Sequence, residues 1–260
     1  MNMAKPDRPV AWVAGGPRGL GVQVAKGLAR DGYRIVINYR KSAEAARKLA
    51  AEIEQIGEEA YLIQGDLSRL EEIRDMARRV LNHWGRVDVL VLMAGPFIFN
   101  HTPVAAFTDA MWREMIEGNL SGAFYLFREI IPYMRKQGGG RLITLGYPDA
   151  EIAPAWAGFG PYAAAKTGLV TLTRTVALEE AENGITANMV YPGDIRDPYK
   201  EAMIAEARGK KDPRTPIGRP GTGEDVARVV RFLAHPDSDF ITGAVIPVTG
   251  GFTNPRFYVK

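Results

Sequence analysis

Apolar positions along this chain fall into two patterns. Short, mostly apolar runs occupy residues 10–14, 34–38, 60–63, 87–93, 141–145, 185–191 and 244–248, as expected of strands buried on both faces. Between them, apolar residues return every three or four positions. Ala45, Leu49, Ile53 and Ile56 form one such stripe, and Ile73, Ala77, Val80 and Leu81 another, which predicts helices with one face turned to a core. Ser68 to Glu71 has the spacing of a capping box and predicts the start of the second of these helices. Strands alternating with helices predict an α/β fold: a seven-stranded parallel sheet, doubly wound, with helices on both faces, forming a single domain over residues 1–260. Residues 194–220, rich in proline, glycine and charge, interrupt the alternation and predict a lid, because loops this long inside a domain are usually functional.

With 260 residues, 46% of them hydrophobic, the chain can bury a large core without covalent staples. It has no cysteine, which removes disulfides, thiolate nucleophiles and Cys-based metal sites and suits a reducing cytoplasm. His83, His101 and His235 stand apart in the sequence, so no metal site is expected. Residues 1–9 lack the apolar core of a signal peptide, and the run at 87–93 is short and interrupted by Asp88, so neither export nor a membrane partner is expected. Lys and Arg number 33 against 30 Asp and Glu, a formal charge of +3. The one tight basic run, 209–214, reads as a solvated loop, and no nucleic-acid partner is expected.

The first apolar run leads into Ala14-Gly15-Gly16-Pro17-Arg18-Gly19-Leu20-Gly21. Glycines at 15, 19 and 21 permit a tight turn, close approach of a pyrophosphate to backbone N–H groups, and close packing of the next helix on the sheet. The spacing G-x-x-x-G-x-G resembles the short-chain dehydrogenase/reductase family, with Ala14 replacing the usual threonine, and the resemblance extends along almost the whole chain. It implies a Rossmann-type nucleotide-binding domain in which Gly15, Arg18, Gly19 and Leu20 border the cofactor. An NAD-binding chain would carry an acid at the tip of the second strand for the ribose hydroxyls. Here the sequence reads Asn38-Tyr39-Arg40-Lys41-Ser42. A guanidinium suits a phosphate and a carboxylate would repel one, so Tyr39 to Ser42, with Arg18 opposite, predict NADPH/NADP as cofactor.

Further positions match the family's motifs. Asp66 and Leu67 stand where the family contacts adenine. Met93, Ala94 and Gly95 stand where it has Asn-Ala-Gly, so Met93 is a departure. Asn119 corresponds to the family's active-site asparagine. Pro192, Gly193 and Ile195 resemble the turn that meets the nicotinamide, though Asp197 replaces a common threonine. Residues 216–221 and 241–251 look like structural segments of acyl-carrier-protein ketoreductases. The resemblance also implies a homotetramer or homodimer built on helices over 109–136 and 161–183 and on C-terminal segments.

Tyr162 and Lys166 lie at i and i+4, one turn apart on a helix face. A phenol titrates near 10 and needs a downward shift of roughly 2 to 3 units to exchange a proton near neutrality. The Lys166 ammonium and a positively charged oxidised nicotinamide would both favour that shift. In the family this pair is joined by a serine that holds the substrate carbonyl, and that serine is missing here. Aligning residues 140–146 with the family's strand puts Tyr147 in its place; counting back from Tyr162 by the family's usual separation reaches Asp149, as in pteridine reductases. Both stand as candidates. Trp156 and Phe159 either line an apolar substrate pocket or pack the loop.

Together these residues predict an NADPH-dependent oxidoreductase that reduces a small-molecule carbonyl or pterin-like imine, with Tyr162 as general acid. The competing reading is a non-catalytic nucleotide sensor or interaction protein on the same scaffold, because fold alone does not fix function.

Overall fold

In the computed structural model, which describes residues 8–98 and 100–252, the first strand, β1 (Val10–Ala14), sends its side chains into two cores. Val10, Trp12 and Ala14 enter one, and Ala11 and Val13 the other. All five are buried, which is why the strand reads as a continuous apolar run rather than an alternation. β2 (Arg34–Tyr39), β3 (Ala60–Gln64), β4 (Val89–Leu92), β5 (Gly140–Leu145), β6 (Ile185–Pro192) and β7 (Val245–Val248) complete a parallel sheet in the order β3-β2-β1-β4-β5-β6-β7. Each predicted strand is present, with ends shifted by no more than two residues.

The helices are α1 (Leu20–Arg30), α2 (Ala43–Ile56), α3 (Leu70–Trp84), α4 (Asp109–Ile116), α5 (Gly122–Gln137), α6 (Gly160–Glu179), α7 (Ile204–Ala207) and α8 (Gly223–Ala234). Val24 of α1, Ile53 of α2 and Val230 of α8 pack on one face of the sheet. Ile73 of α3, Ile130 of α5 and Leu169 of α6 pack on the other. The predicted stripe of α3 is buried throughout, whereas in α2 the buried residues are Ala46, Leu49, Ala50 and Ile53, with Ala45 only partly covered.

Local sequence misplaced one cap. Arg69, not Ser68, precedes α3, and no side chain caps it. Ser68 turns back instead, giving its N–H and its hydroxyl to Asp66 Oδ1 at 2.9 and 2.7 Å. A capping box does form at α8, where Thr222 Oγ1 accepts from Asp225 N–H and the Asp225 carboxylate accepts from Thr222 N–H.

Residues expected as one helix over 109–136 divide into α4 and α5, joined by a π-turn at Glu117–Ser121. Residues 194–220 hold a short 3-10 turn, Tyr199–Glu201, followed by α7. The basic run within them is tied down rather than solvated throughout: Arg214 donates to the buried carboxylate of Asp212 at 2.9 and 2.6 Å. The leader reading of residues 1–9 falls largely, and the C-terminal assembly segment partly, outside the described residues. No helix among the described residues is long and apolar enough to cross a membrane.

After β1 the chain winds outward to β3, then returns to place β4 on the other edge of β1. The connections leaving the tips of β1 and β4 diverge, which opens a crevice at the topological switch point.

Candidate active site

A cleft of about 410 Å³ lies over the tips of β1, β2, β3 and β4. Gly15, Arg18, Tyr39, Arg40, Lys41, Ser42, Asp66, Leu67, Met93, Ala94 and Gly95 line it. Gly19 and Leu20 form the adjoining start of α1, while Pro192, Gly193 and Ile195 border neighbouring cavities. Gly15 has φ 82°, and a Cβ there would lie 2.3 Å from that of Ala94, so glycine lets the β1 turn close onto the β4 tip.

Asn38 was absent from the predicted set, yet one buried amide ties three strand tips together. Its Oδ1 accepts from Gly15 N–H at 3.1 Å, and its Nδ2 donates to the Gly65 carbonyl at 3.1 Å. The available signal was a polar residue near the end of an otherwise apolar strand. Beside it, the exposed Arg40 guanidinium lies 3.4 Å from Asp66 Oδ2. Burial pushes the Asp66 carboxyl up, but the Ser68 hydrogen bonds and the Arg40 charge together hold it below its usual value.

Beyond β4 a second cavity, about 420 Å³, is walled by aromatic rings. Tyr147 stacks on Trp156 with centroids 5.4 Å apart, Phe97 stacks on Phe159 at 5.1 Å, and Phe97 meets Tyr162 edge-on at 4.7 Å. Trp156 and Phe159 therefore do both things considered for them: they line the cavity and pack the loop. Tyr147 follows β5 and faces the cavity. Asp149, at φ 62°, begins a short 3-10 turn and is not among the lining residues. Phe97, His101 and Phe252 also contribute, with no signal in the local sequence, and Asp194 and Arg196 come from the segment expected as a lid.

Lys166 is buried beneath Tyr162. Its Nζ donates to the Leu145 carbonyl at 2.8 Å and lies 5.8 Å from the centre of the Tyr162 ring. Burial lowers its pKa to about 8. The Tyr162 phenol is instead pushed upward, chiefly by burial and further by Tyr147. The expected lowering by Lys166 is thus not realised in the chain by itself: desolvation of the phenolate dominates, and the ammonium is directed to a backbone carbonyl.

Asn119 sits in the π-turn between α4 and α5, a distortion that often marks functional positions. Its Nδ2 donates to the carbonyls of Pro96 and Met115 at 2.9 and 3.0 Å, while its buried Oδ1 lacks a protein partner. A Cβ at Gly95 would lie 2.2 Å from that oxygen and 3.3 Å from Lys166 Nζ. Glycine at 95 therefore lets Asn119 and Lys166 converge on the β4 tip. Of the five predicted catalytic residues, Tyr147 and Tyr162 line the cavity, Asn119 and Lys166 converge at Gly95, and Asp149 lies outside the cavity lining.

A sequence profile described as enoyl-(acyl carrier protein) reductase matches residues 14–253. The provisionally named oxidoreductase YtkK of Bacillus subtilis (strain 168) is 47% identical over 244 residues, covering 93% of this chain and 95% of its own. The 3-oxoacyl-acyl-carrier-protein reductase FabG of Staphylococcus epidermidis is 34% identical over 243 residues, covering 93% and 97%. The chain belongs to the short-chain dehydrogenase/reductase family. Solved short-chain dehydrogenases/reductases share its fold over almost the full length. Acetoin dehydrogenase YohF from Salmonella typhimurium is 32% identical with a TM-score of 0.86, covering 97% of this chain and 100% of its own. An actinorhodin polyketide ketoreductase solved with NADPH is 30% identical with a TM-score of 0.84 and the same coverage. This chain is accordingly an oxidoreductase-family protein with the family's parallel α/β architecture.

The histidines serve other contacts. His83 stacks on Tyr61 at 4.3 Å, His101 meets Phe159 edge-on at 4.5 Å, and His235 Nδ1 accepts from Asp237 N–H. Among the described residues no three His, Cys, Asp or Glu side chains cluster as a metal site.

Proposed function

We propose that this chain is an NADPH-dependent reductase of small-molecule carbonyl compounds, with Tyr162 as general acid. The observation that carries the reading is a half-buried phenol, Tyr162, at the wall of an aromatic-lined cavity, with Lys166 and Asn119 behind it. When bound, the cofactor supplies hydride to the carbonyl carbon. Tyr162 Oη gives its proton to the carbonyl oxygen. Lys166, largely charged near neutrality, would hold the nicotinamide ribose and compensate the phenolate left behind. The unpartnered Asn119 Oδ1 accepts from a water that returns a proton toward Lys166.

The missing serine is replaced by Tyr147 in this reading. Its hydroxyl lies 3.5 Å from both the Pro154 carbonyl and Thr167 Oγ1, long contacts that leave it able to turn toward a substrate oxygen. A neutral phenol donates without being protonated first, whereas an ionised Asp149 would repel a developing oxyanion. The position of Tyr147 favours a carbonyl over a pterin-like imine.

Arg18, Arg40, Lys41 and Ser42 line the adenosine end of the cleft, and no acid closes β2, so the donor set fits a 2′-phosphate. NADPH is expected to bind at least tenfold tighter than NADH, about 1.4 kcal/mol. Arg40→Asp narrows or inverts that ratio. Fluorescence titration checks both, and equal affinities in the natural chain refute the NADPH assignment. A screen of ketones, quinones, β-ketoacyl thioesters and dihydropterins, read as cofactor oxidation, separates the substrate classes. Residues 194–220 act as lid through Asp194 and Arg196 at the cavity rim. Exposed Trp112, Phe124 and Leu178 on α4, α5 and α6 support a homotetramer or homodimer, and the cysteine-free composition supports a cytoplasmic location.

A further inference from the structure

The glycine turn that opens α1 is held by a carboxylate from the lid. Gly19 N–H donates to Glu201 Oε1 at 2.8 Å, across 182 positions of sequence. α1 has no acidic residue in its first turn and no side-chain cap of its own. The backbone N–H groups and dipole of a helix start favour an anion, and here the lid provides one. The buried Gln23 donates through Nε2 to the Glu201 carbonyl at 2.6 Å, so the backbone of the Tyr199–Glu201 turn is fixed on α1. The Glu201 side chain itself is exposed and can rotate away. The adjacent cation, Lys200, pairs with Asp197 at 3.3 Å rather than with Glu201.

We infer that Glu201 competes with the cofactor's pyrophosphate for the Gly19 amide, making it an affinity-determining residue that couples the lid to cofactor occupancy. The inference rests on the nucleotide-cofactor reading above. A carboxylate and a pyrophosphate cannot both take this N–H, and their like charges repel. Apparent affinity is therefore the intrinsic affinity reduced to the fraction of molecules with Glu201 swung out. After displacement the turn keeps its Gln23 backbone bond and loses its side-chain contact with α1, so the lid loosens as cofactor enters.

The test compares the natural chain with Glu201→Ala and Glu201→Gln by calorimetric titration with NADPH and with adenosine 2′-phosphate, which carries no pyrophosphate. Glu201→Ala is expected to tighten NADPH binding about 3- to 10-fold and leave adenosine 2′-phosphate within about 2-fold. Glu201→Gln keeps an acceptor but loses the charge, and falls between. Should Glu201→Ala fail to fold, a gain of about 2-fold or more with Glu201→Gln supports the inference and no gain overturns it. Unchanged or weaker NADPH binding in folded Glu201→Ala, with both probes bound by the natural chain, overturns the inference alone. A natural chain that binds neither probe overturns the cofactor reading and this inference with it.

Discussion

Replacing Lys166 with methionine removes a charge that the fold buries at a cost. Burial lowers the Lys166 pKa from 10.5 to about 8. At about 1.36 kcal/mol per unit, the charged form is disfavoured by about 3 kcal/mol in the folded state. The sign follows from proton linkage. Below about pH 8 the lysine is charged both folded and unfolded, so the full cost is present; between about 8 and 10.5 the unfolded chain binds more protons, so stability rises with pH as the cost disappears. The ammonium recovers part of it through its hydrogen bond to the Leu145 carbonyl at 2.8 Å, worth about 1 kcal/mol. Lys166→Met should therefore stabilise the cofactor-free protein by about 2 kcal/mol near pH 7 while abolishing reduction. Near pH 10.5 only the lost hydrogen bond remains, and the variant should be less stable by about 1 kcal/mol. Urea unfolding of both proteins across this range measures the difference. A difference that does not change with pH, or a variant already weaker near neutrality, would refute the claim that Lys166 is held charged against a desolvation penalty.

Tyr147→Phe should lower turnover on the order of 10²-fold with cofactor affinity unchanged, and Tyr162→Phe at least as much, whereas Asp149→Asn should stay within about 3-fold; the reverse order in steady-state reduction would assign the donor to Asp149 and favour an imine substrate. Light scattering at micromolar concentration should give a dimer or tetramer, with Leu178→Lys shifting the mass downward; a monomer in the natural chain would leave the exposed apolar residues of α4, α5 and α6 without the proposed role.

The two apolar periodicities were enough to set the seven strands, the helices α2 and α3 and the parallel arrangement, because strands buried on both faces and one-sided helices leave different traces in sequence. The glycine turn and the Tyr162–Lys166 pair were expected from spacing within one short segment, Arg40 from its charge at the tip of the second strand, and Asn119 from the family resemblance. The Ser68 cap failed for a physical reason: Asp66, two residues earlier, offers Ser68 a nearer acceptor than the helix offers it donors. Asn38 showed only as a polar residue in an apolar strand; that its amide reaches both Gly15 and Gly65 depends on which strands lie side by side.

What sequence could not decide was set by distance in space and by burial. Sequence left Tyr147 and Asp149 two positions of register apart; the course of the chain after β5 lines the cavity with Tyr147 and not with Asp149. The proton affinity of Tyr162 depends on burial against rings from two loops, Phe97 from one and Tyr147 and Trp156 from the other, and no local pattern encodes that. The contact between Gly19 and Glu201 joins residues 182 positions apart in sequence, so only the docking of the lid on α1 could bring a carboxylate to the helix start. Periodicity records whether a residue is inside; it does not record which other inside residue it meets.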